Sequence, residues 1–222
     1  MIDGIRFKVC GITSLVDAHL ADRVGADYIA FNFYPKSPRF VSPTVFAAMA
    51  PNLPDRPKVA VFVEPSVEDL HQALALGFDR CQVHFGDAVP TETVRTWSHA
   101  VSPKRLWLAP KLPPGRDPVP EHLPLADTWL IDTFVADSFG GSGKLGDWPK
   151  FRRLRDAHPN KTWVLAGGLN PANIGAALES SDARFVDVNS GVETSPGVKD
   201  EAKLKAFVVA IHRAKTESVA KA

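Results

Sequence analysis

Eight short runs of apolar, often β-branched residues recur along the chain, at 5–10, 28–33, 58–63, 80–84, 105–109, 128–132, 162–166 and 184–188. A strand with one wet face alternates polar and apolar residues, whereas these runs are close to continuously apolar. They must therefore be covered on both faces, as parallel strands flanked by helices are. The segments between them carry helix punctuation. Ser14 to Asp17 and Ser66 to Asp69 read as capping boxes with Asp in place of the usual Glu, and Gly25 and Gly77 sit where C-terminal glycines belong. Asn170-Pro171 supplies a helix cap followed by a first-turn proline. Leu204, Phe207, Val208 and Ile211 follow one helix face, and the polar tail at 215–222 is expected to fray.

One connection breaks the rhythm. Pro110, Pro113, Pro114, Pro118, Pro120 and Pro124 crowd the stretch between the fifth and sixth runs, and prolines this dense cannot support several helical turns. An extended loop is expected there, with at most one turn near Glu121. Eight βα units without a composition shift predict a single (β/α)8 TIM barrel of parallel strands over residues 1–222, its fifth helix short or replaced by a proline-rich loop. A doubly wound open sheet is the weaker alternative.

A length of 222 residues suits one such barrel, and a formal net charge of +1 with dispersed lysines and arginines gives no footprint for nucleic acid or an anionic membrane surface. Small-molecule chemistry fits better. No apolar stretch reaches a membrane-spanning length, and the acidic start Met1-Ile2-Asp3-Gly4 runs straight into a strand, so a cytoplasmic protein is expected. Cys10 ends one run and Cys81 begins another, which places them at opposite ends of a parallel sheet, beyond disulfide reach. No cysteine or histidine pair has the spacing of a structural zinc site, and no metal or cofactor is expected.

Polar or glycine-rich clusters follow the runs directly, where barrels bind ligands. Gly140 to Gly143, Gly167-Gly168 and Ser190-Gly191 can present backbone N–H groups to an anion, and the last two follow the seventh and eighth runs, where barrels often hold phosphate. Gly141, Ser142, Gly143, Gly167, Gly168, Ser190 and Gly191 are the phosphate candidates. The bland alternative is tight turns only. Cys10, at the exit of the first strand, is either a base or a small buried hydrophobe; Lys8, two residues back on the same face, could supply a cation beside it. Asp132 leaves an apolar wall at the end of the sixth strand, where desolvation would raise its pKa toward that of a general acid; otherwise it caps a loop. Arg39 follows the stiff Pro35-Lys36-Ser37-Pro38 loop, and its fork suits a planar carboxylate, although a solvated surface arginine is the commoner fate. His84 could orient a ligand hydroxyl or phosphate or be a structural histidine. Asp187 is either a ligand to an amine or hydroxyl or a satisfied buried acid.

Six motifs in order, 8–13 (KVCGIT), 34–39 (YPKSPR), 82–84 (QVH), the 132–144 segment, 166–171 (AGGLNP) and 187–193 (DVNSGVE), resemble the phosphoribosylanthranilate isomerase family of tryptophan biosynthesis. The resemblance implies a cofactor-free Amadori rearrangement of N-(5-phosphoribosyl)anthranilate to 1-(2-carboxyphenylamino)-1-deoxyribulose 5-phosphate. It implies Cys10 as general base at ribose C2 and Asp132 as general acid at the ring oxygen. Arg39 then faces the anthranilate carboxylate, and His84 and Asp187 match secondary substrate positions. Ala30, Asn32, Phe85-Gly86 and Asn189 depart from the pattern. A related ribotide isomerisation would be expected to use two carboxylates where position 10 here is cysteine. Indole-glycerol phosphate formation would be expected to need an N-terminal extension, and a metal-dependent epimerase paired histidines. A silent sugar-phosphate-binding barrel is a further alternative of another class.

Overall fold

The protein is described from a computed structural model, which covers residues 1–113, 115–132 and 147–220. Strands β1 (Arg6–Val9), β2 (Tyr28–Asn32), β3 (Lys58–Val63), β4 (Arg80–Phe85), β5 (Leu106–Pro110), β6 (Thr128–Ile131), β7 (Thr162–Leu165) and β8 (Phe185–Val188) pair in chain order and in parallel, and β8 closes on β1. Helices α1 (Leu15–Arg23), α2 (Pro43–Met49), α3 (Val67–Ala75), α4 (Thr91–Val101), α5 (Trp148–Ala157), α6 (Ile174–Ser181) and α7 (Glu201–Ala220) lie around it. The closed barrel excludes the open-sheet alternative.

Because side chains alternate across a strand, the continuous apolar runs feed two cores at once. Phe7, Phe31, Phe46 and Phe78 belong to the outer core between sheet and helices; Ala30, Val59, Val61, Trp107, Leu130, Val164 and Phe185 fill the inside. Tyr28, Trp107 and Phe185 pack with ring centroids 5.2 to 5.5 Å apart near the N-terminal ends of their strands, and so close the floor.

Local punctuation explains most element ends. Ser66 and Asp69 form the full reciprocal capping box of α3. At α1 only half forms: Ser14 Oγ accepts from Asp17 N, while the Asp17 carboxylate accepts from Lys199 N instead. Gly25 and Gly77 end their helices at φ +83° and +88°, a region glycine enters without strain. The helix start expected at Asn170-Pro171 corrects to Ile174, with Asn173 at the N-cap position. Asn170 Oδ1 accepts from Ala172 N, and Asn173 Oδ1 accepts from Asn170 N, so a side-chain-bonded turn precedes the helix. Helix α7 continues through the polar stretch after Ala214 as far as Ala220.

The fifth connection has no α-helix among its described residues. A short 3-10 turn over Pro120–Leu125 takes its place, held to α4 by Ser98 Oγ donating to Leu125 O and by the Thr91–His122 contact. After β8 the chain forms a hairpin outside the barrel, β9 (Glu193–Ser195) and β10 (Val198–Lys199), turned at Gly197 with φ +85°. Among the described residues no helix is long and apolar enough to cross a membrane.

Candidate active site

The C-terminal ends of the strands open into a cavity of ≈ 760 Å³. Cys10 from the end of β1, His84 from β4, Asp132 after β6 and Asp187 from β8 line it, together with Arg39, Gly167, Gly168 and Ser190. Gly191 does not line it. A Cβ there would lie 2.0 Å from Leu169 O, so glycine at 191 lets the loop after β8 press against the loop after β7. Gly141, Ser142 and Gly143 lie outside the described residues.

The cavity floor is a buried polar chain. The Lys8 side chain is fully buried, 3.2 Å from Asp187 Oδ2, and its ammonium donates to Gln82 Oε1 at 2.8 Å. Burial works against the Lys8 charge, but Asp187 and Cys10 beside it outweigh that and raise its pKa above the usual lysine value. An ammonium has no acceptor, so it fixes the Gln82 amide with its oxygen toward Lys8 and its NH2 toward His84. Gln82 Nε2 then donates to His84 Nε2 at 2.8 Å, which leaves the imidazole proton on Nδ1. Burial, reinforced by Lys8, lowers the His84 pKa from 6.5 to about 4. His84 is thus a neutral donor. The other Asp187 oxygen, Oδ1, is buried with no hydrogen-bond partner among the described residues, an unusual cost for a carboxylate unless a ligand donor meets it.

Cys10 is 6% exposed, and burial pushes its thiol up from 9.0. Lys8 and Lys199 favour the thiolate, while Asp187 opposes it. The cation expected beside Cys10 is therefore present, but burial outweighs it. Asp132 directly follows Ile131, whose carbonyl accepts from Ala166 N at 2.9 Å and ties the ends of β6 and β7 together.

Arg39 differs from a freely held fork. Its Nε donates to Glu193 Oε1 at 2.9 Å and its Nη2 to Glu193 Oε2 at 2.6 Å, so one edge of the guanidinium is committed. The edge ending in Nη1 is not engaged by Glu193. Gly11, at φ +71°, lies beneath: a Cβ there would sit 2.6 Å from both Arg39 Cδ and Asn189 Oδ1. The departures from the motif pattern have definite places. Asn32 Oδ1 accepts from Tyr34 N and shapes the start of the 34–39 loop, and Asn189 Oδ1 accepts from Lys199 Nζ. Ala30 is fully buried inside the barrel.

The model of the family described as N-(5'-phosphoribosyl)anthranilate (PRA) isomerase matches residues 7–210. The chain belongs to this isomerase family. An N-(5'-phosphoribosyl)anthranilate isomerase of Magnetococcus marinus is 39% identical over 214 residues, covering 95% of this chain and 96% of the relative. The phosphoribosyl anthranilate isomerase of Thermotoga maritima superposes with a TM-score of 0.76 at 34% identity, covering 96% of this chain and 99% of that one. A third, 32% identical with a TM-score of 0.70 over 92% of this chain and 96% of that one, was solved in complex with reduced 1-(o-carboxyphenylamino)-1-deoxyribulose 5-phosphate. The family assignment agrees with the motif resemblance and with the barrel.

Glu193, Lys199 and Gln82 are members of the PRA isomerase site region that sequence reasoning left without roles. Gln82 was visible as a polar residue sharing an inward face with His84. The Ser195-Pro196-Gly197 turn signal could have flagged the hairpin that carries Glu193 and Lys199.

Proposed function

We propose that the residues around this mouth isomerise N-(5'-phosphoribosyl)anthranilate to 1-(2-carboxyphenylamino)-1-deoxyribulose 5-phosphate, with Asp132 as general acid and Cys10 as general base. The observation that carries this reading is that Cys10 and Asp132 line a single cavity, on strands well separated around the barrel, with Arg39 and the glycine turns on the same rim. A sugar ring held between them meets an acid on one side and a base on the other.

The chemistry follows from those roles. Asp132 gives a proton to the furanose ring oxygen as the C1–O bond breaks, and the nitrogen lone pair forms an iminium at C1. The iminium acidifies C2–H. Cys10, as thiolate, takes that proton; the C–H electron pair forms a C1=C2 double bond and the C=N π pair returns to nitrogen, giving an enol-amine. Loss of the enol O–H proton and gain of a proton at C1 complete the ketose, with no net change in atoms or electrons. Every step is a proton transfer or a bond shift within the substrate, so an acid and a base suffice.

The remaining groups hold the substrate. The Nη1 edge of Arg39 takes the anthranilate carboxylate, and Gly167, Gly168 and Ser190 offer backbone N–H groups to the phosphate. His84 Nδ1–H and Asp187 Oδ1 supply one donor and one acceptor for ribose hydroxyls. A substrate with both phosphate and carboxylate crosses membranes poorly, which supports a cytoplasmic location. The test is to add purified protein to phosphoribosylanthranilate formed in situ and follow its anthranilate-type fluorescence. Loss in proportion to protein is expected; an unchanged signal overturns the reading.

A further inference from the structure

The hairpin after β8 does something the reaction does not explain. It brings Glu193 and Lys199 opposite each other as register partners and buries both side chains, at 3% and 0% exposure. Glu193 accepts from Arg39 through Nε and Nη2, from Lys199 Nζ at 2.7 Å, and from Gly197 N at 3.3 Å. Lys199 Nζ reaches onward to Asn189 Oδ1 at 3.0 Å, just before Ser190-Gly191. Arg39 and Asn189 both crowd Gly11, where only a glycine leaves room for the two side chains. Arg39, Glu193, Lys199 and Asn189 therefore form a chain of contacts at one side of the mouth, with its two ends flanking Gly11.

We infer that Glu193 and Lys199 are positioning residues that hold the carboxylate anchor Arg39 and the 189–191 turn as one unit. Two edges of a guanidinium can each bind a carboxylate; Glu193 occupies one and so fixes the plane in which the other faces the cavity. Lys199 reads the same Glu193 oxygen and the Asn189 side chain, so a shift at either end is felt at the other. The two ends of the substrate then meet a receptor whose spacing is set in advance, which lowers the ordering cost of binding.

This inference rests on the proposed roles of Arg39 and the 189–191 turn, and binding separates its failure from theirs. Reduced 1-(o-carboxyphenylamino)-1-deoxyribulose 5-phosphate and inorganic phosphate are titrated calorimetrically into wild type, Glu193→Gln, Arg39→Lys and the double variant. Glu193→Gln is expected to weaken the reduced compound about tenfold or more and phosphate alone several-fold. Arg39→Lys should then cost less than about threefold in the Glu193→Gln background, because coupled residues are not additive. In turnover, KM should rise with kcat much less affected, a split that general destabilisation would not give. Removing Glu193 leaves buried cations unpaired, so Glu193→Asp provides a charge-retaining second variant that should show the same KM rise from its shorter reach. Fully multiplicative effects, or phosphate affinity unchanged in both Glu193 variants, would overturn the inference. Failure of wild type to bind the reduced compound would instead overturn the site reading beneath it.

Discussion

His84 offers a prediction whose size follows from the floor of the cavity. Its Nε2 is committed as acceptor to Gln82, which Lys8 orients, so protonation breaks that bond and sets a cation near Lys8. Its pKa is lowered from 6.5 to about 4 by burial first and Lys8 second. Because the folded value lies below the unfolded one, the unfolded chain takes up the proton first. Stability is lost as pH falls through 6.5, and the loss is complete below about 4. At one pKa unit per 1.36 kcal/mol, this group alone removes up to about 2 kcal/mol by pH 5 and roughly 3 kcal/mol at the plateau. His84 opens partly to the cavity, so these are ceilings. Urea unfolding at pH 7 and pH 5 measures the loss, and His84→Gln, which cannot titrate, isolates it from the carboxylates. Wild type should lose about 1 to 2 kcal/mol more than His84→Gln over that interval. Nitrogen NMR should show His84 neutral, with its proton on Nδ1, through pH 5. Equal losses in the two proteins, or His84 titration near 6.5, would refute both the tautomer and the relay that sets it.

Two further outcomes follow. Burial raises the Cys10 pKa, and only the thiolate is alkylated, so the rate at which iodoacetamide modifies Cys10, read at that residue by mass spectrometry, should keep rising past pH 9.0; a rate that levels off by pH 8 would exclude that shift. Gly191→Ala forces a Cβ to 2.0 Å from Leu169 O, so the two loops must separate; a loss of about 1 to 3 kcal/mol in unfolding free energy and weaker phosphate inhibition are expected, and an unaltered protein would contradict that packing.

Much of this was legible before the structure because the physics is local. Strands buried on both faces show as apolar runs, and a residue at i and i+2 shares a face, which put Lys8 beside Cys10 correctly. Proline density removed the fifth helix. What stayed hidden depends on partners distant in sequence. Arg39 and Glu193 are 154 residues apart, and no local pattern signals that one edge of the arginine is spoken for. The half-formed capping box at Ser14 has the same origin, since Asp17 was drawn to Lys199, 182 residues on. The orientation of Gln82, and with it the His84 tautomer, needs the register Val61↔Gln82 and Lys8↔Asp187 to be known.

The central claim is that Cys10 and Asp132 are the base and acid of one isomerisation, and paired conservative variants test it most directly. Cys10→Ser keeps the volume but offers too weak a base, and Asp132→Asn keeps the shape but cannot give up a proton. Single-turnover fluorescence with phosphoribosylanthranilate formed in situ should show each variant slower than wild type by about two orders of magnitude or more. Each should still bind the reduced carboxyphenylamino-deoxyribulose phosphate within a few-fold of wild type. Near-normal turnover in either variant would contradict its role, and normal turnover in both would contradict the account of this mouth as the place where the chemistry occurs.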